Sequence, residues 1–342
     1  VWQIRFTPHT IFIVKGDKKP AMLHKRAIDH HFSLAPLVPW RALSRPILWE
    51  RVFGRSAPLA VELGFGLGDY LIRTAAANPD KDFVGVEIDW FLIRRTLQKL
   101  TTAGVKNVAL VQAGAPTVLH RLFRQASIEK VWAMFPVPWP KARHGKKRLF
   151  SKSFIRLLNS RLVPEGEAFV VTDDQEHAQW ILNQGIETGF RVRSEIIPPQ
   201  FGTLYEEKWK KEGQDHFHRI FFNKLEHVSI PEKEEVPLQT RIVSSFRMED
   251  LRLDPMKGRS TVVPKETLYD PIQERAMVRV IVIEMDFSQD IWIEIIRRAS
   301  GWHIRPAKGC GMIPTPGVQE ALDLLQGRIL GNNRDRPSDH PG

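Results

Sequence analysis

An apolar run, Leu59-Ala60-Val61, leads straight into Glu62-Leu63-Gly64-Phe65-Gly66-Leu67-Gly68, and a helix pattern over Tyr70–Ala77 follows at once. Glycines spaced two apart at the start of a helix let backbone approach a ligand closely, as in nucleotide-binding strand–turn–helix units. The spacing is G-x-G-x-G after a carboxylate, not the G-x-G-x-x-G of a dinucleotide enzyme. Nineteen residues beyond Gly68, Val84-Gly85-Val86-Glu87 reads as a second buried strand ending in an acid. That is where a ribose diol is held in such folds. Together these features predict a nucleoside-cofactor site.

The surrounding chain supports an α/β fold. Strand patterns fall at 59–63, 83–87, 108–112, 130–135, 167–172 and 218–223. Helix patterns fall at 69–77, 90–103, 116–125, 151–161, 174–188 and within 202–213. Such alternation predicts a mostly parallel sheet with helices on both faces and a ligand crevice off the carboxyl ends of the strands. Residues 1–45 carry Pro20, Pro36 and Pro39 without a clear period and read as a loosely attached arm with one early strand, Ile11–Val14. The α/β domain is expected over 46–229. A charged, proline-flanked linker at Pro231–Pro237 opens a β-rich module over 230–330, with strands near Thr240–Phe246, Val278–Glu284 and Ile291–Ile295 and a helix near 317–329. Residues 331–342 read as a disordered tail.

Hydrophobic content of 42% supports a core, and no run approaches the roughly 18 apolar residues of a membrane span. Cys310 is the single cysteine, so no intrachain disulfide or cysteine-rich metal site can form, and no segment reads as a signal peptide. A cytoplasmic protein is expected, without membrane or metal. His216 and His218 alternate but lack further ligands at metal spacing. The net charge of +11 suits a polyanionic partner. Its placement sharpens that expectation. After Val131-Trp132-Ala133-Met134 the chain runs Phe135-Pro136-Val137-Pro138-Trp139-Pro140-Lys141-Ala142-Arg143-His144-Gly145-Lys146-Lys147-Arg148, and six of the twelve residues 141–152 are Lys or Arg. These cations follow an aromatic, proline-stiffened loop at the ligand end of the sheet, which points to nucleic acid.

At this stretch the chain resembles the bacterial single-subunit tRNA (guanine-N7)-methyltransferases, whose signature reads Phe-Pro-Asp-Pro-Trp-x-Lys-x-Arg-His-x-Lys-Arg-Arg. Trp49–Gly54, Glu62–Gly68, Gly85-Val86-Glu87, Val171-Thr172-Asp173 and Thr203–Lys208 resemble further elements of that family, and the likeness covers roughly residues 45–225. The resemblance implies a Rossmann-like, class I S-adenosylmethionine-dependent methyltransferase sheet, with tRNA as partner and methyl transfer to N7 of a variable-loop guanosine. It also implies that Glu62, Gly64, Gly66 and Gly68 cradle the methionyl part of S-adenosylmethionine and that Glu87 holds its ribose. Lys141 and Asp173 would contact RNA, Thr203 and Glu206 would read the guanine, and Arg143, His144, Lys146, Lys147 and Arg148 would grip phosphates.

Two family aspartates are absent. Gly114 occupies the position whose acid meets the adenine amino group, and Val137 replaces the acid of Pro-Asp-Pro-Trp. Guanine N7 has a free lone pair and needs no general base, so loss of a charge-stabilising acid predicts a slow enzyme. The alternative is a non-catalytic tRNA-binding relative. An exocyclic-amine methyltransferase is disfavoured because Pro136-Val137-Pro138-Trp139 offers the amine no acceptor. Trp132 and Trp180 read as core, and Trp139 suits either loop stiffening or RNA contact.

Overall fold

A computed structural model describes residues 2–7, 10–15, 32–139, 145, 148–233, 235–251, 254–284 and 287–334. The chain begins with an antiparallel hairpin, β1 (Trp2–Thr7) and β2 (Thr10–Lys15), and a short helix α1 (Trp49–Phe53) precedes the main sheet. That sheet is built from β3 (Leu59–Leu63), β4 (Asp82–Glu87), β5 (Val108–Gln112), β6 (Ile128–Met134), β7 (Leu162–Thr172), β8 (Phe190–Ile197) and β9 (Phe217–Lys224). The helices α2 (Asp69–Ala77), α3 (Trp90–Ala103), α4 (Ala115–Arg121), α5 (Lys152–Arg161), α6 (Gln175–Gln184) and α7 (Leu204–Lys211) alternate with them. Strand order is β5-β4-β3-β6-β7-β9-β8, with the first five parallel and both pairings of β9 antiparallel.

The central strands are buried along their length, as a sheet covered on both faces requires. Val61, Val84 and Val131 face α4, α5 and α6 through Leu119, Ile155 and Ile181. Ala60, Phe83 and Trp132 face α2 and α3 through Leu71, Ile93 and Leu97. Helix starts are set by short polar side chains. Asp89 accepts from Phe91 N at 2.7 Å to start α3, and Asp174 accepts from His177 N at 2.8 Å to start α6.

Residues 36–40, expected in a loose arm, are bound to the sheet edge. Val38 N and Leu110 N exchange hydrogen bonds with Leu110 O and Pro36 O, and buried Trp40 donates from Nε1 to Gln112 O at 3.2 Å. β8 was not anticipated, because an edge strand with exposed Arg191, Arg193 and Ser194 has no apolar period.

The second sheet comprises β10 (Arg241–Val243), β11 (Met256–Lys257), β12 (Thr261–Asp270), β13 (Arg275–Ile283), β14 (Ser288–Arg298) and β15 (Gly301–Pro306), in the order β10-β15-β14-β13-β12-β11 and antiparallel throughout. One face packs on α8 (Pro316–Arg334) through Val278, Val280, Ile293 and Ile304 against Val318, Leu322 and Leu325. The sequence hid β12 because Pro264 interrupts it; the strand tolerates that proline at a bulge between Pro264 and Glu266. α8 continues to Arg334, past the expected start of the tail, and residues 335–342 lie outside those described.

The linker is packed onto the first unit. Lys233 N donates to His120 O and Arg45 pairs with Glu235 at 2.5 Å, while Val236 N donates to Pro314 O in the C-terminal unit. Phe287 and Ile313 join the same core cluster as Val118 and Leu119, and the Arg121 guanidinium lies 4.8 Å from the Phe287 ring centroid.

Gly85 marks the tightest approach below the glycine turn. A Cβ there would fall 2.6 Å from Leu71 Cδ2 and 2.7 Å from Phe65 Cδ1. Gly85→Ala should therefore lower stability by about 1–3 kcal/mol through overpacking, read as a lower urea midpoint with an unchanged slope.

Candidate active site

β3 and β6 are neighbours, yet the chain leaves β3 toward β4 on one side and returns to β6 on the other. The loops after these two strands diverge at this reversal and leave a crevice at their carboxyl ends. A cavity of about 230 Å³ lies there, floored by Glu62, edged by Gly64, Gly66 and Gly68, and closed by Phe135 and by Thr203–Tyr205. The three glycines have φ of +73°, +57° and +69°, which side-chain-bearing residues adopt only with strain. Gly68 is also the residue before α2, where a Cβ would meet Thr96 Cγ2 at 2.5 Å.

Glu62 is buried, and burial raises its pKa from 4.5 to about 8. The Trp132 indole N–H beside it offsets part of that rise, and nearby Asp69 adds to it. Neither Glu62 Oε2 nor Trp132 Nε1 completes a hydrogen bond of full geometry, which leaves a buried carboxyl oxygen open at the cavity floor. Such an oxygen suits a cationic or strongly donating ligand group.

Glu87 ends β4 and organises the turn. Its Oε2 accepts from Gly66 N at 3.2 Å, while Oε1 accepts from Ile88 N at 2.7 Å and Asp89 N at 3.1 Å. Gly114 lies elsewhere. It edges a second cavity of about 330 Å³ shared with Trp40, Arg41, Glu284 and Phe287, between the start of α4 and the C-terminal sheet. Gln112, close by, donates from Nε2 to Ile88 O at 3.3 Å.

Thr203 and Glu206 serve the loop rather than presenting free groups to a base. Thr203 Oγ1 accepts from Glu206 N at 3.2 Å as the cap of α7. The Glu206 carboxylate is buried and accepts from Gln200 N at 2.6 Å, Phe201 N at 3.0 Å and Gly202 N. Both Glu206 oxygens thereby accept from the backbone of the turn, and Thr203 borders the cavity. Asp173 ends β7 half-buried, and burial raises its pKa, with Asp174 adding to the rise and Lys208 opposing it.

Lys141, Arg143 and His144, together with Lys146 and Lys147, lie outside the described residues. Arg148 is described and is held internally. It donates to Trp139 O from Nε and Nη2 at 3.4 and 3.3 Å, and its guanidinium lies 5.0 Å from the Trp180 ring centroid. Trp132 is core as expected, stacked on Phe169 with centroids 6.3 Å apart. Val137 is 60% exposed on the loop after β6, where Phe135 and Trp139 have φ of +51° and +44°. Among the described residues no group of three or more His, Cys, Asp or Glu could hold a metal ion, and no helix is long and apolar enough to cross a membrane.

Sequence reading missed the aromatic rim of the cavity. Phe135, Tyr205, Tyr70 and Phe91 all border it. The signal was available in part, since Phe135 opens the proline loop and Tyr205 sits between Thr203 and Glu206.

A family model described as "Putative methyltransferase" matches residues 56–219. The tRNA (guanine-N(7)-)-methyltransferase of Chlorobium phaeobacteroides is 38% identical over 181 residues, covering 53% of this chain and 89% of that protein. The protein of the same name from Thermus thermophilus is 28% identical over 313 residues, covering 89% of this chain and 99% of its own length. Among solved structures, the 16S rRNA methyltransferase KamB is 13% identical with a TM-score of 0.41, covering 52% of this chain and 93% of that one.

The raised pKa of Glu62 has a signed consequence for stability. Between pH 4.5 and about 8 the unfolded chain has released this proton while the folded chain retains it. Unfolding then releases a proton, so the contribution, complete below pH 4.5, is lost as pH rises through about 8. Glu62→Gln should remove that slope: thermal denaturation of the wild type should fall more steeply from pH 5 to pH 8 than that of the variant. Parallel curves would refute the assignment.

Proposed function

We propose that this chain, which belongs to the family of tRNA (guanine-N7-)-methyltransferases, moves a methyl group from S-adenosylmethionine to N7 of a guanosine in tRNA. Membership makes it a methyltransferase, and the binding-only alternative is not favoured. The observation that carries the cofactor assignment is the unpartnered, buried Glu62 Oε2 on the floor of a glycine-edged cavity. S-adenosylmethionine supplies an electrophilic sulfonium methyl. Glu62 would receive its ammonium group, and the backbone of Gly64, Gly66 and Gly68 would lie against its methionyl part. Glu87, with lone pairs to spare beyond its three backbone partners, would hold the ribose diol. Gly114 offers no side chain to the adenine. The Gln112 side-chain oxygen is an acceptor near that position, because Nε2 is the atom that bonds Ile88 O.

Guanine N7 attacks with its own lone pair, so the protein's task is alignment and charge stabilisation. Alignment contributes on the order of 7–11 kcal/mol to such reactions, and preorganised charge stabilisation about 3–4 kcal/mol. A site with Val137 in place of an acid keeps the larger contribution and loses part of the smaller. We assign phosphate contacts to Lys141, Arg143, His144, Lys146 and Lys147, with Asp173 at the RNA side of the cavity. Such contacts position the strand rather than read its sequence. A tRNA substrate sets the place of work in the cytoplasm.

Incubation with unmodified tRNA and methyl-labelled S-adenosylmethionine should label the RNA, and aniline cleavage should map the product to a guanosine. Equilibrium dialysis should show cofactor uptake by the wild type and a large loss in Glu62→Gln; no uptake at millimolar cofactor would overturn the assignment. Position 137 is well exposed, so water would screen a new carboxylate there. Val137→Asp should raise the rate by about tenfold, less than the hundredfold or more of a fully buried donor.

A further inference from the structure

The methyl transfer proposed above leaves a positive charge on the purine, and this chain has valine where its family has an acid. The cavity rim offers another kind of stabilisation. Phe135 and Tyr205 both border the cavity, with ring centroids 6.5 Å apart and planes inclined at 35°. A flat base needs about 3.5 Å on each face, so inserting one between two rings takes about 7 Å. The centroid separation is about half an ångström short of that, and a purine fits between the rings once Tyr205 turns to bring the two planes parallel.

The two walls are built differently. Phe135 is fixed: it packs edge-to-face on Phe217 at 5.1 Å, and its N donates to Val171 O at 2.7 Å. Tyr205 is 53% exposed on the first turn of α7 and stands free to adjust. The backbone beneath Tyr205 is held by the Thr203 cap and by the Glu206 carboxylate, which accepts from Gln200, Phe201 and Gly202. This gives the buried Glu206 clamp a purpose, since it sets the height of the Tyr205 wall over the cavity that Glu62 floors.

We propose that the target guanine leaves its stack and inserts between Phe135 and Tyr205, and that the π face of Tyr205 stabilises the cationic purine in place of the absent carboxylate. In the step itself the N7 lone pair forms the new N–C bond as the C–S bond breaks, its electron pair staying on sulfur. The positive charge passes from sulfur to the purine ring, and no proton is lost. Enzymes that modify a base commonly flip it into a pocket between aromatic side chains. An aromatic face attracts a cation more than the neutral base it came from, so the slot favours the product-like charge over the substrate.

The proposal rests on the guanine-N7 assignment, and its test separates the two. Guanosine 5′-monophosphate and its 7-methyl form would be titrated against the full chain in the presence of S-adenosylhomocysteine. The wild type should bind the methylated, cationic nucleotide about tenfold more tightly. Tyr205→Phe should keep that preference, and Tyr205→Leu should bring the ratio close to one, each variant being measured at S-adenosylhomocysteine saturating for that variant. With tRNA, Tyr205→Leu should lower kcat by about tenfold with little change in the cofactor KM. A wild type that fails to distinguish or to bind the nucleotides, or a leucine variant that keeps the preference, overturns the slot even if tRNA is methylated normally. Absence of both cofactor binding and tRNA methylation would overturn the functional assignment instead.

Discussion

Every contact in the crevice depends on the reversal of strand order at β3. The chain builds β3, β4 and β5 outward to one edge, then crosses back to add β6 and β7 on the other side. The loop after β3 carries the glycines and the loop after β6 carries Phe135, so the reversal alone brings them to opposite walls of one cavity. The antiparallel end of the sheet supplies the third wall. β7 and β8 both pair antiparallel with β9 and therefore run in the same direction. The carboxyl end of β8 thus arrives on the ligand side, and residues 198–216 must cross the mouth of the crevice before β9 begins at Phe217. Phe217 then packs against Phe135, which links the third wall to the second.

Two buried carboxylates in this region show how partners decide a group's role. Glu206 has three backbone N–H donors, and its charge is consumed in fixing a turn. Glu62 is equally buried but has one unpartnered oxygen beside an unpartnered indole N–H. Burying polar atoms without partners costs on the order of 1–3 kcal/mol each, a cost that a core position has no reason to carry. Position explains the difference. Glu206 lies within the backbone it holds, whereas Glu62 lies where a ligand can complete what the fold leaves open.

The parallel half of the fold was legible because its strands are buried on both faces and its turns must be glycine. Leu59–Leu63 and Asp82–Glu87 have no other reasonable reading, and Glu62 and the glycines line a cavity at the ends of these strands. Elements whose stability comes from neighbours were harder to see. β8 is an edge strand with polar side chains, and β12 contains a proline that only its bulge accommodates. The site was legible by position but not by role. Thr203 borders the cavity while Glu206 does not, the polar groups of both bond locally, and the intervening Tyr205 meets the cavity. Hydrogen-bonding capacity is visible in a sequence, but whether nearby backbone has already used it is not. Gly114 shows the same limit, since a glycine carries no side chain to indicate which of two cavities it borders.

The C-terminal sheet bears on the crevice through packing more than through charge. Several of its cations are committed within the sheet. Arg275 and Arg305 converge on buried Glu294, and Arg279 pairs with Asp290 at 2.7 Å. The exposed Arg279–Asp290 pair contributes little by itself, but all three pairs leave their guanidinium groups less available for phosphate. The module instead inserts Phe287 and Ile313 into the core cluster that holds Val118 and Leu119 of α4. Buried Arg161 ties the same helix to the linker, donating to Leu119 O at 2.6 Å and to Ile230 O at 2.7 Å. Gly114 precedes α4 as its cap residue and borders the cavity shared with Phe287. The module therefore holds α4 from the side away from the glycine turn, through packing and not through charge.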